Sequence, residues 1–350
     1  MPAQKKRLFY LDMIRVIALL CILIIHFNAT VTGYFTLPSK LFPNTLPFGI
    51  YLGDFGSSLF FIVSGTALSY TTQRSFDTIS FYRKRAVAVY PMFWLAWLAA
   101  FSFRFVRQPG YFSQAKTATL ALTFLGLDNF AVASGWVAHD FALVGEWFLG
   151  SILFLYALFP ALKAGLSKHP CLTWLLSVFV GLVLHLSGKD AGLLGIHIPE
   201  FLFGMSFVFW MPRFQKLTVP FGILLFIPAL WYGNGKIICA VFSITAFAIL
   251  ALIGQKIHYI PLERVCSQIG RYSYAVFLLH HLLILRMSES FDLALLTRRD
   301  TALLFVAYLF LTAWTSVGLY HAERLVRSGF AFFKKDEKEL SVDCIMKLDA

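Results

Sequence analysis

Ten stretches of about 16 to 22 residues are almost wholly apolar, each long enough for a helix to cross the hydrocarbon core of a bilayer. They fall at 8–27, 55–70, 86–103, 147–163, 171–187, 191–211, 218–233, 237–254, 272–287 and 301–319. Charged residues collect in short clusters between them. The pattern predicts an all-α polytopic integral membrane protein with about ten transmembrane helices. An eleventh stretch, 117–133, is interrupted by Thr117, Thr119, Thr123, Asp128 and Asn129. With ten helices and a cytoplasmic N-terminus, roughly twice as many Lys and Arg fall inside as outside, whereas counting 117–133 as a span reverses that excess. The charge rule therefore predicts ten spans, both termini cytoplasmic, and 117–133 as a re-entrant or surface segment.

Composition agrees with this reading. Hydrophobic residues make up 59% of the chain and charged residues 14%, against about 25% charged in a soluble domain. That excludes an ordinary soluble fold. The domain expectation is one membrane unit, 1–330, followed by a cytoplasmic tail, 331–350. The net charge of +12 sits mostly in short loops and tails, as topology requires, so membrane lipids and anionic ligands are the expected partners and nucleic acid is not. Cys21, Cys171, Cys239, Cys266 and Cys344 share no metal spacing and form an odd set, so neither a disulfide framework nor a metal site is expected. Lys5, Lys6 and Arg7 before an apolar run resemble a signal peptide, but no small-residue cleavage site follows, and the run is expected to stay as the first span. The Asn28-Ala29-Thr30 sequon abuts the membrane and is not expected to be used.

Ionisable residues inside spans are costly and normally face a partner or an aqueous cavity. The first span carries three: Asp12, Arg15 and His26. Eleven residues separate Arg15 from His26, about 1100° of helical rotation, so the two share one face some ~16 Å apart along the axis. Asp12 lies one turn before Arg15, where an ion pair can form. His26 ends a helix running outward and Glu146 begins one running inward, so both should lie near the outer face. A histidine beside a carboxylate is the arrangement of a general base that deprotonates a hydroxyl. Arg83, Lys84 and Arg85 cluster at the cytoplasmic face, where a basic mouth suits a phosphate-bearing donor. His280 and His281, adjacent on one helix, point about 100° apart, and Glu200 is an intramembrane acid without an obvious role.

These residues carry a resemblance to the acyltransferase-3 family of polytopic membrane enzymes, whose hallmark is an Arg and a His with ten residues between, as Arg15 and His26 stand here. Leu59-Phe60-Phe61-Ile62-Val63-Ser64-Gly65 resembles the family's second helix, and Tyr82-Arg83-Lys84-Arg85 followed by Tyr90-Pro91 its basic loop and third helix. Trp147, Tyr156 and Pro160 keep the spacing of its tryptophan-led helix, and Ser273-Tyr274 with His280 resembles its penultimate helix. The similarity spans 8–325, and ten helices is the family's usual count. Two departures stand out: Ile152 and Leu153 occupy positions where many members carry paired glutamates, leaving Glu146 as the available acid, and Glu323-Arg324-Leu325 lacks the proline of the family's Glu-x-Pro ending.

The resemblance implies a membrane-bound O-acyltransferase of a bacterial cytoplasmic membrane. It would move an acyl group, with acetyl expected, from cytosolic acyl-coenzyme A to a hydroxyl of a cell-surface glycan or its lipid-linked precursor. No permanently bound cofactor is implied. His26, Arg15 and Glu146 would be the catalytic residues, and Asp12, Arg83, Arg85, Tyr90, Trp147 and His280 would bind donor or substrate. A transporter or flippase for a lipid-linked or small organic substrate is the alternative that the same polar stripe allows. No internal repeat or matched pair of broken helices is visible, which argues against a secondary carrier.

Overall fold

The computed structural model describes residues 8–33, 39–73, 75–108, 110–187, 191–232 and 235–346, with side chains for all of these except 111–112, 129, 133, 146, 191–196, 209–216, 232 and 329–346. Among the described residues the fold is helical apart from one small hairpin. The helices are α1 (Phe9–Phe27), α2 (Leu52–Thr71), α3 (Thr78–Arg107), α4 (Leu120–Leu125), α5 (Asp128–Ala133), α6 (Glu146–Lys168), α7 (Pro170–Leu186), α8 (Ala191–Tyr232), α9 (Gly235–Gly254), α10 (Ile260–Ser288) and α11 (Arg298–Met346). Six helical segments are long and apolar enough to cross a membrane by length and composition, and Pro170–Leu186 and Leu217–Trp231 are shorter apolar helices. This is a polytopic membrane protein.

Two expected spans, 191–211 and 218–233, fall within the single helical run of α8. His197 stacks on Phe61 with ring centroids 4.1 Å apart. Further along, Phe201 and Gly204 lie against Gly65 and Thr66, so the first part of α8 runs parallel to α2. A straight continuation would carry residue 226 some ~33 Å further the same way. Instead the Phe226 ring lies 5.3 Å from that of Phe48, ahead of the start of α2, and Gly222 packs on Thr245 of α9. The run therefore turns back on itself and supplies two antiparallel passes.

Burial sorts the helices into centre and rim. In the apolar window of α2, 78% of residues are buried, against 22% for α11. The exposed apolar side chains of α7, such as Leu172, Leu175 and Phe179, make the lipid-facing surface expected of a rim helix. At the centre, α2 and α8 touch backbone to backbone: a Cβ added at Gly65 would stand 2.2 Å from the Phe201 carbonyl oxygen, and one at Gly204 would stand 2.1 Å from that of Ile62. Only glycine permits this approach.

Helix ends gather on two faces. On one, Gly254 packs on Tyr10, Lys163 donates to the Thr72 carbonyl at 3.1 Å, and Asp77 caps α3 by accepting the Ser80 amide at 2.7 Å. That bond holds the Asp77 carboxyl below its ordinary range. Glu323, buried on α11, pairs with Arg327, which also donates to the Val87 carbonyl of α3. Glu323 thus ties two helices together at this basic face. On the other face, Phe27 packs on Phe305 and Lys236 pairs with Asp54 at 2.6 Å.

The segment 117–133 does not span. Its helices α4 and α5 have six residues each, about 9 Å of rise apiece, and the chain turns between them at Gly126 (φ +71°), against Leu149 and Leu153 of α6. The last carbonyls of α4 have no helical partner, and inside a membrane they cannot be left bare. Trp94 Nε1 donates to the Phe124 carbonyl at 3.0 Å and the Tyr90 hydroxyl to that of Leu125 at 3.1 Å. Tyr90, expected among the donor-binding residues, is engaged here in holding the re-entrant turn.

Candidate active site

Helix α1 is unbroken from Phe9 to Phe27, so Arg15 and His26 lie on one rod at about the axial distance that their spacing sets. Each meets a separate polar cluster. At the inner one, Arg15 donates to Asp12 at 2.8 Å, the expected pair one turn apart, with Asp12 nearly buried. Arg85 and Ser64 lie beside the Tyr156 hydroxyl of α6, and the charges of Arg85 and Arg15 bear on it. The Arg85 guanidinium carbon lies 6.0 Å from the Tyr156 ring centroid. Four helices, α1, α2, α3 and α6, thus converge here. The Nε of Arg85 is buried without a hydrogen-bond partner among the described residues. Arg83 and Lys84 stay exposed at the basic face.

At the outer cluster, the His26 ring lies 4.8 Å from that of His280 and 5.0 Å from that of His281, both on α10. Immediately after it, α1 opens into a π-helical turn, Asn28–Thr32, a rare geometry found disproportionately at functional sites. Asn28 is fully buried and its amide donates to the Phe42 carbonyl and to Asn44 Oδ1, each at 3.0 Å. The sequon asparagine is therefore part of the packing. His280 is also buried, and its Nδ1 lies 2.7 Å from the Phe277 carbonyl and 3.1 Å from that of Val276. Carbonyls only accept, so this contact assigns the proton to Nδ1 and leaves Nε2 as an acceptor in the neutral ring. That Nε2 is buried with no partner among the described residues.

Gly145, at the start of α6, packs on the Phe277 ring, which brings the beginning of this helix beside the turn that carries His280. The side chain of Glu146, expected to orient His26, lies outside the described residues. Trp147 is half-buried with its ring edge-on to Phe148 at 5.9 Å. Phe148 in turn packs on Phe277 at 4.5 Å and on Phe61 at 5.0 Å, an aromatic partition that separates the histidine cluster from a further polar pair.

That pair is His197 and Glu200, both buried on α8, with Nδ1 and Oε2 2.6 Å apart. The sequence marked Glu200 without a partner; the i, i+3 spacing of His197 was the available signal. Tyr156 and Ser64 were likewise legible only as pieces of motifs. Their meeting with Arg85 depends on how α2, α3 and α6 pack.

A helical membrane protein with a partly buried histidine cluster at one level and a partly buried arginine cluster at another has the layout of a membrane-embedded group-transfer enzyme. The acyltransferase domain family matches the chain over residues 8–321. The chain belongs to this acyltransferase-3 family and is a membrane acyltransferase. No curated protein and no solved structure matches it.

Proposed function

We propose that this acyltransferase takes its acyl group, expected to be acetyl, from acyl-coenzyme A at the basic face. It delivers the group to a hydroxyl of a cell-surface glycan or lipid-linked glycan precursor at the histidine face. The basic face would be cytosolic by the positive-inside rule, in a bacterial cytoplasmic membrane. The observation that carries this reading is a complementary pair of unmet groups. The inner cluster has a buried donor without an acceptor, Arg85 Nε, and the outer cluster has a buried acceptor without a donor, His280 Nε2. Unsatisfied buried polar groups are costly and point to ligands that complete them. A donor phosphate completes the first, and a glycan hydroxyl other than the attacking one completes the second.

In the transfer itself, His26 would take the proton of the acceptor hydroxyl as its oxygen attacks the thioester carbonyl carbon. The new C–O bond forms, the C–S bond breaks, and the proton passes to the departing thiolate to give free coenzyme A. His280, with its tautomer held by the Phe277 carbonyl, would brace the His26 imidazole, and Arg15, fixed by Asp12, would stabilise donor charge. Arg83 would attract the donor phosphates, and Trp147 would wall the acceptor side. Purified protein in nanodiscs, given radiolabelled acetyl-coenzyme A and O-deacylated surface polysaccharide, tests this. Label should appear on the glycan, and His26→Ala should reduce the rate by at least about 10². Label that never reaches glycan removes the proposed acceptor, and near-normal turnover in the variant removes His26 from the mechanism.

A further inference from the structure

The loop between α3 and α6 holds a cavity of about 410 Å³ that neither cluster uses, within the range of small-ligand sites. Ser113, Gln114, Lys116, Thr119, Trp136 and His139 line it. Gln114 Nε2 donates to the Asp140 carbonyl at 3.1 Å and ties its two arms together, while Trp97 Nε1 of α3 anchors the second arm by donating to the Phe141 carbonyl at 2.8 Å. The Trp136 backbone amide is bonded to the Ala131 carbonyl at 2.9 Å, and the Phe130 ring stands edge-on to the indole at 5.6 Å and 82°. Phe130 thus braces one edge of the indole, and Trp136 is 70% exposed.

An open indole ringed by an amide, hydroxyls and two basic side chains offers a flat apolar face with polar groups around its edge. A pyranose ring has the matching form: one face of C–H groups that stacks on an aromatic, and a rim of hydroxyls that bond to amide, hydroxyl and cationic groups. A tryptophan that merely anchors a protein at the membrane interface needs no such polar ring. The second arm leads from His139 to Gly145 in six residues, at most about 21 Å of chain, and Gly145 abuts Phe277 beside the histidine cluster. The cavity thus lies on the segment that leads directly to the helix start beside the histidine cluster.

We propose that this cavity is a saccharide subsite in which Trp136 stacks on a pyranose ring of the acceptor while a neighbouring sugar is presented to His26. This rests on the reading of the acceptor as a glycan. The test uses the full chain in nanodiscs and, as probe, oligosaccharides cut from the O-deacylated surface polysaccharide of the source cells. Binding is measured by calorimetry for the unaltered protein, Trp136→Ala and Trp136→Phe. Trp136→Ala should weaken binding at least about tenfold and raise KM for the oligosaccharide in parallel, with a smaller effect on kcat, while Trp136→Phe, which keeps an aromatic face, should recover part of the loss. Failure of the unaltered protein to bind the oligosaccharides, or equal binding by Trp136→Ala, overturns the subsite. A glycan that is acylated with an unaltered KM in Trp136→Ala also overturns it while leaving the proposed function standing. A glycan that binds through Trp136 but never accepts label upholds the subsite and overturns the acceptor reading instead.

Discussion

Replacing Gly204 by alanine puts a methyl group where two backbones already touch. Its Cβ would stand 2.1 Å from the Ile62 carbonyl oxygen and 3.0 Å from the Thr66 nitrogen. Carbon and carbonyl oxygen approach no closer than about 3.3 Å, so α2 and α8 must part by roughly 1 Å. Neither blocking atom can rotate away, because both belong to a helix backbone. Overpacking of this kind costs about 1–3 kcal/mol, and the rigid contact argues for the upper end. The displacement also disturbs the Phe61–His197 stack, one to two turns along the same helices. Unfolding of the purified protein, followed by circular dichroism as sodium dodecyl sulfate is titrated into mixed micelles, gives the stability difference. Gly65→Ala should cost a similar amount, its Cβ meeting the Phe201 carbonyl oxygen at 2.2 Å. The double variant should cost clearly less than the two together, because one separation of the helices relieves both clashes. A Gly204→Ala protein within about 0.5 kcal/mol of the unaltered one, or strict additivity in the double variant, would refute the reasoning.

Further expectations concern the site and its sidedness. His280→Gln keeps an amide near the Nε2 position whereas His280→Asn keeps only the bond to the Phe277 carbonyl, so Gln should retain more turnover than Asn; the reverse order in a kcat assay would deny Nε2 a role. Arg15→Lys preserves charge but loses the planar fork, so activity at limiting acyl-coenzyme A should fall strongly and recover in part as the donor is raised, with membrane abundance normal; full activity at limiting donor would make Arg15 a structural residue. Tyr90→Phe deletes the bond to the Leu125 carbonyl and should cost about 1 kcal/mol in the same unfolding titration, and no change would mean that the re-entrant turn is held by other contacts. On a background lacking native thiols, cysteines at Lys116 and Lys236 should react with an impermeant maleimide from one side of the membrane and those at Arg83 and Arg327 only from the other, and a shared side would break the two-face arrangement.

The order of apolar runs determined the helical membrane fold, because each span must satisfy its own backbone in lipid and so announces itself by composition and length. Polar interruptions and charge bias together demoted 117–133, and the structure gives the local reason: the last carbonyls of α4 are met by Tyr90 and Trp94 of α3 rather than by a continuing helix. The Arg15–Asp12 pair was equally legible, since both ends lie on one helix at a fixed pitch. What lay beyond reach were contacts between helices distant in sequence. His26 meets His280 and His281, and Arg85 and Ser64 meet at Tyr156, through the packing of five separate helices. Helical periodicity fixes which face a residue occupies but not which neighbour that face will find. That choice belongs to the tertiary structure, where the glycine contact of α2 with α8 and the fold-back within α8 set the distances between helices.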